Sequence, residues 1–93
     1  MKYLYEENYE SFIKRMKDDH DIEFIAEISS NDVIITMLHN GTKVVKQTYP
    51  LTYLFNHVEK LRRKPIDYLS KVKKSIDFAV RKTAMKYLYN INI

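Results

Sequence analysis

Apolar positions along this chain change spacing several times, and each change marks a different predicted element. Over residues 4–17, Tyr5, Tyr9, Phe12 and Met16 recur at four- and three-residue intervals, with Ile13 beside them and Glu7, Glu10, Lys14 and Lys17 opposite. Side chains three and four apart share one side of a helix, so this stretch predicts an amphipathic helix. Glu10 precedes Lys14 by four, the favourable order for a surface pair. The cluster Asp18-Asp19-His20-Asp21 is expected to be loop, because acidic groups oppose the negative end of a helix dipole.

The spacing then shortens to two. Residues 22–29 alternate, with Phe24, Ala26 and Ile28 on one face and Glu23, Ile25 and Glu27 on the other, which predicts a strand. Residues 33–38 are nearly all apolar and rich in β-branched side chains, as suits a central strand, and residues 42–49 alternate again. Ser29-Ser30-Asn31-Asp32 forms the first predicted turn. Asn40-Gly41 forms the second, since both tolerate the positive φ of a tight hairpin. A three-stranded antiparallel meander follows.

Helical spacing returns after Pro50, which is expected to open a helix over residues 50–63 with Leu51, Leu54, Phe55, Val58 and Leu61 as its buried stripe. Arg62-Arg63-Lys64-Pro65 breaks that helix. A last helix is predicted over residues 66–90, with a length of roughly 37 Å at a rise of about 1.5 Å per residue. The fold class is α+β: one domain over residues 1–93, two layers, in the order α-β-β-β-α-α, with helices covering the meander.

At ~100° per residue, Leu69, Val72, Ile76, Ala79, Val80, Thr83 and Tyr87 share one side of the last helix and form its expected core stripe. The opposite arc carries Lys71, Lys74, Arg81, Lys82 and Lys86, with Phe78, Met85 and Tyr89 set among them. A solvated helix has no need of a phenylalanine at the centre of its charge. Charge layout adds weight to this arc. Residues 1–57 hold 6 Lys+Arg against 9 Asp+Glu, a net of −3, and residues 58–93 hold 10 against 3, a net of +7. Such asymmetry marks a surface for an anionic partner or a merely solvated face.

Three readings of the arc compete. Phe78, Met85 and Tyr89 pack against a neighbouring helix or a second copy of the chain. Alternatively, the lysines and Arg81 neutralise phosphates while the aromatics stack on a nucleic acid. In the third, the face docks on an acidic protein surface. Arg62, Arg63 and Lys64 are candidates to extend the patch, and Tyr53, on the polar side of its helix, is a candidate exposed anchor.

Composition narrows the chemistry. There is no cysteine, which excludes disulfides, thiolate catalysis and thiolate metal sites. One glycine, placed in a turn, leaves no glycine-rich phosphate loop. His20, His39 and His57 have no helical metal spacing, and the Asp18–Asp21 cluster lacks the ordered alternation of a calcium loop. No serine sits in a motif that would activate it, and Glu23 and Glu27 read as an exposed strand face. The N-terminus turns acidic before any apolar run develops, unlike a signal peptide, and no stretch is long enough to span a bilayer.

The expectation is a non-enzymatic, cofactor-free, metal-free, cytoplasmic protein acting by protein–protein contact or self-association. Its size suits a small regulator or inhibitor of the kind phage and mobile elements encode. Nucleic-acid binding through the same basic helix is the alternative.

Overall fold

A computed structural model describes residues 8–60 and 67–89. It shows the order read from the sequence: α1 (Tyr9–His20), β1 (Ile22–Ser29), β2 (Asp32–His39), β3 (Thr42–Pro50), α2 (Leu51–Lys60) and α3 (Tyr68–Tyr89). The strands form one antiparallel sheet with β2 in the centre.

Asn8 caps α1, its side-chain oxygen accepting from the backbone N–H groups of Glu10 and Ser11 at 2.9 and 3.3 Å. The expected Asp18–Asp21 loop is corrected: Asp18, Asp19 and His20 complete the helix. Two local interactions offset the unfavourable dipole. Asp21 takes a left-handed φ of 53° and turns its N–H back to the Lys17 carbonyl, closing the helix end, as a left-handed cap does. Lys14 pairs with Asp18 and Lys17 with Asp21, each one turn apart. Lys17 also reaches Glu23 at 3.3 Å. Hydrogen bonds to Asp21 and Glu23 raise the Lys17 pKa above the ordinary lysine value.

The first hairpin turns on Ser30 (φ 53°) and Asn31. The second turns on Asn40 (φ 55°) and Gly41 (φ 78°). This is the paired positive φ of a type I′ turn that the Asn-Gly dipeptide predicts. The β2–β3 register shifts between Met37 and Leu38, because Met37 faces Val45 whereas Leu38 faces Lys43, leaving Val44 as the extra residue of a bulge. Pro50 does not open α2 as expected. It ends β3 opposite Asp32, and α2 begins one residue later. The Leu51 N–H donates to the Asn31 carbonyl, so odd-numbered residues bond across β2 and β3 there, and the Pro50 nitrogen points to the free edge. A missing donor costs nothing at that place.

Helices cover one face of the sheet. Val33, Ile35 and Met37 of β2 are fully buried, while Ile34, Thr36 and Leu38, which alternate with them, are only partly covered. Phe12 and Met16 of α1, Leu51 and Leu54 of α2 and Ala79, Val80 and Ala84 of α3 close the core over Ile22 and β2. Asp67 caps α3 by accepting from the Ser70 N–H at 2.7 Å. That bond to the cap holds the Asp67 carboxyl below the usual aspartate pKa. The predicted breaker over residues 62–65 and Leu61 of the expected α2 stripe lie outside the described residues. Of the expected α3 core stripe, Val72, Ala79, Val80 and Thr83 are buried and Ile76 is half-buried. Leu69 is corrected to solvent at 65% exposure, one turn before the helix meets the core, and Tyr87 is partly exposed at the other end.

Candidate functional site

The basic arc of α3 is mostly interior. Phe78, Ala79, Val80 and Arg81 are buried in succession, so the centre of the helix is covered on every side. Phe78 stacks on the His57 ring of α2 at 3.7 Å between centroids and lies tilted against Tyr53 at 6.3 Å. Met85 is buried in the same core. Among the three readings of this arc, contact with a neighbouring helix describes Phe78, and burial removes both Phe78 and Met85 from an exposed binding face. The Tyr89 side chain lies outside the described residues.

The cations follow the same division. Arg81 is buried, pairs with Asp77 one turn earlier and stands over the Phe12 ring of α1 at 5.4 Å. Burying a guanidinium is costly unless it is paired, and the carboxylate with the aromatic face compensates it. Lys71 pairs with Glu59 of α2 and lies 5.4 Å from the Phe55 ring. Lys82 donates to the Tyr53 hydroxyl and sits over the Tyr53 and Phe78 rings at 4.8 and 5.8 Å. Lys74 and Lys86 are exposed. Arg62, Arg63 and Lys64 lie outside the described residues. Tyr53 is 40% exposed but is tied to Lys82, which makes it a wall of the α2–α3 contact rather than an outward anchor.

This contact also tunes titratable groups. Burial, then the charges of Lys82 and Lys60, push the His57 pKa below the ordinary histidine value. On the sheet side, Thr83 donates to the Ala79 carbonyl at 2.8 Å, so the Tyr49 hydroxyl donates to Thr83, also at 2.8 Å. Burial raises the Tyr49 pKa despite that bond. These groups join α3 to β3 and α2. They make a buried polar seam.

Apart from Tyr68 and Leu69 at the start of α3, exposed apolar side chains also lie on the sheet. Ile25 and Ile28 of β1 are 47% and 52% exposed, although they point to opposite faces of the sheet. Ala26 is exposed as well, so the helices cover β1 only near Ile22 and Phe24. On the uncovered face the ladder sets acid, apolar and basic residues in rows: Glu23 beside Leu38 beside Lys43, and Ile25 beside Thr36 beside Lys46. Alternation alone places Ile28 on the same face as Phe24 and leaves Ile25 unexplained between two glutamates. An isoleucine on a polar face is the signal in the sequence that this strand is unusual.

The two sheet edges differ. β3 carries a bulge, a terminal proline and Lys43 and Lys46, all devices that discourage strand addition. β1 pairs with β2 in unbroken register, with no proline, lysine or bulge along its length. Asn40 N–H donates to the Asp21 carbonyl, which fixes odd-numbered residues of this hairpin as the ones bonded to β2. The N–H and C=O groups of Ile22, Phe24, Ala26 and Ile28 therefore face the open edge.

Among the described residues, no helix is long and apolar enough to cross a membrane, and no cluster of His, Asp and Glu is placed to hold a metal ion. Comparison with protein-family models, with curated proteins and with solved structures finds no match to this chain.

Proposed function

We propose that this chain is a non-enzymatic protein-binding module, in the manner of a small regulator or inhibitor, whose contact surface is the β1 edge with the adjoining open sheet face. One observation carries the reading: large apolar side chains stay exposed on both faces of an unblunted edge strand. Open backbone donors and acceptors give such an edge affinity for another extended segment, and alternate side chains give selectivity. The α3 arc supports this surface from behind. Three of its five cations are engaged within the chain, which leaves Lys74 and Lys86 as a thin basis for phosphate contact.

The test compares capture of proteins by the native chain, by an Ile25→Lys/Ile28→Lys variant and by a Lys74→Glu/Lys86→Glu variant, alongside binding to generic DNA and RNA at two salt concentrations. Capture lost only in the isoleucine variant is the expected result. Equal capture by both variants, or tight nucleic-acid binding with steep salt dependence, would overturn the reading.

A further inference from the structure

The β1 edge is complementary to itself. Building on the protein-contact reading, we infer that its partner is a second copy of this chain. The two copies pair antiparallel through β1 about a two-fold axis at Ala26, so that the two sheets become one.

Hydrogen-bond geometry removes half of the possible registers. Only the even-numbered residues of β1 present backbone groups to the edge, so an even-numbered residue must face an even-numbered residue of the second copy. Directly opposed residues in an antiparallel pair point to the same face, so the helices of both copies lie on one side. Two such registers overlap most of the strand. With Ile25 on the axis, Glu23 stands opposite the partner's Glu27 in a non-hydrogen-bonded pair, where side chains approach most closely and like charges repel. With Ala26 on the axis, Glu23 faces the partner's Ser29 and Glu27 faces the partner's Ile25. On the helix-covered face, Phe24 then lies opposite the partner's Ile28.

This second register accounts for the exposed residues. Ile28 gains the half-buried Phe24 as its cross-strand neighbour, and Ala26, small enough for a close approach, sits at the centre. Ile25 is shielded by the aliphatic stem of the partner's Glu27. An isologous contact of this kind closes on itself and needs no second surface. The blunted β3 edge then ends the joined sheet at both sides.

The chain contains no cysteine, so single-cysteine variants report the register directly. Residues at a hydrogen-bonded axis position lie about 5.5 Å apart between Cα atoms, within the roughly 4.4–6.8 Å that a disulfide spans. Ala26→Cys should cross-link under mild oxidation. Ile25→Cys should not, because the two copies of that position lie diagonally at ~7–8 Å. Sedimentation of the native chain should show a dimer that tightens as salt rises, since Glu27 and the partner's Glu27 are diagonal neighbours of like charge. Phosphate contact has the opposite salt dependence. Ile28→Lys should weaken the dimer about tenfold or more, because the symmetric contact loses the burial twice, and circular dichroism should show the fold retained.

Cross-linking at Ile25→Cys in place of Ala26→Cys would overturn the pairing. So would a chain that stays monomeric over a wide concentration range with neither variant linked. The two readings separate cleanly. A monomer whose Ile25→Lys/Ile28→Lys variant still loses its captured proteins removes the second copy and leaves the protein-contact reading standing. A monomer whose variant captures as the native chain does removes both.

Discussion

At the centre of α3, four consecutive residues are buried although one of them is Arg81 and lysines lie on both sides of them in sequence. Along β1, residues that alternate apart from Ile25 are exposed on both faces after Phe24. Both segments interleave apolar and charged positions, and the fold treats them in opposite ways. The difference is one of neighbours. α3 lies between α1, α2 and the sheet, so Lys71 and Arg81 meet carboxylates and aromatic rings, while Lys74 and Lys86 stay in water. β1 lies at an edge, where α1 covers its beginning and nothing described covers its end. Periodicity tells which side chains share a face, and the packing of other elements decides whether that face is dry.

The most severe way to break this comparison is to empty the α2–α3 contact. Phe78 is a buried ring stacked on His57. Phe78→Ala removes it, with a transfer and cavity cost of about 3–4 kcal/mol. For a chain this small the melting temperature should fall by roughly 15 °C or more. Thermal or urea denaturation checks it. An unchanged midpoint would mean that Phe78 lies at the surface after all.

Arg81 and Lys74 sharpen the comparison inside one helix, because both belong to the same basic arc. Arg81 is the buried partner of Asp77 and, with Arg15, a cation over the Phe12 ring. Arg81→Ala should therefore cost about 2–3 kcal/mol. Asp77 keeps some access to water, which holds the cost below that of a fully buried pair. Lys74→Ala should lie within about 0.5 kcal/mol of the native chain. Arg81→Met should recover part of the Arg81→Ala loss by restoring the aliphatic packing.

Much of the fold is legible in the sequence because it depends on local rules. Asn40-Gly41 supplies positive φ at both positions, the apolar run of β2 needs cover, and Ile22 to Ser29 alternates apart from Ile25. The end of α1 is not legible from dipole reasoning alone, since Asp21 in the left-handed region and the lysines one turn back outweigh the dipole. The candidate site is legible only in part. A phenylalanine at the centre of a basic arc needs a partner, as Phe78 does, but angular position on a helix cannot identify the His57 ring that supplies it. The β1 edge escapes most sequence reading because edge status is a property of the sheet, and Ile25 on the glutamate face marks the strand as unusual without placing it at an edge.

The same buried contact should respond to acid. His57 binds its proton less readily in the folded chain than in the unfolded one, through burial and the nearby Lys82 and Lys60. Its folded pKa is depressed, so the unfolded state takes up more protons as pH falls below the ordinary histidine value of about 6.5. The stability it contributes is present in full above that pH and is lost as pH falls through the folded pKa. Melting temperature measured from pH 7.5 down to 5 should therefore decline, and His57→Gln should decline less steeply over the same interval. Parallel slopes would show that the ring titrates as it does in the unfolded chain.

The smallest expected effect tests the other half of the comparison. Ile25→Thr and Ile28→Thr replace exposed β-branched residues by a β-branched residue of similar strand preference. If β1 is open on both faces in the single chain, each should change the stability of the dilute protein by no more than about 0.5 kcal/mol. That near-neutrality separates them from the fully buried Val33 and Ile35 on β2. Truncation of either to alanine would leave a cavity and cost about 2–4 kcal/mol. Measured at high protein concentration, the same Ile28→Thr change should cost more, because anything that binds only the folded state adds to its stability by mass action. A loss that grows with concentration would locate the missing burial in a second molecule. A large loss at every concentration would place Ile28 in the core of the first.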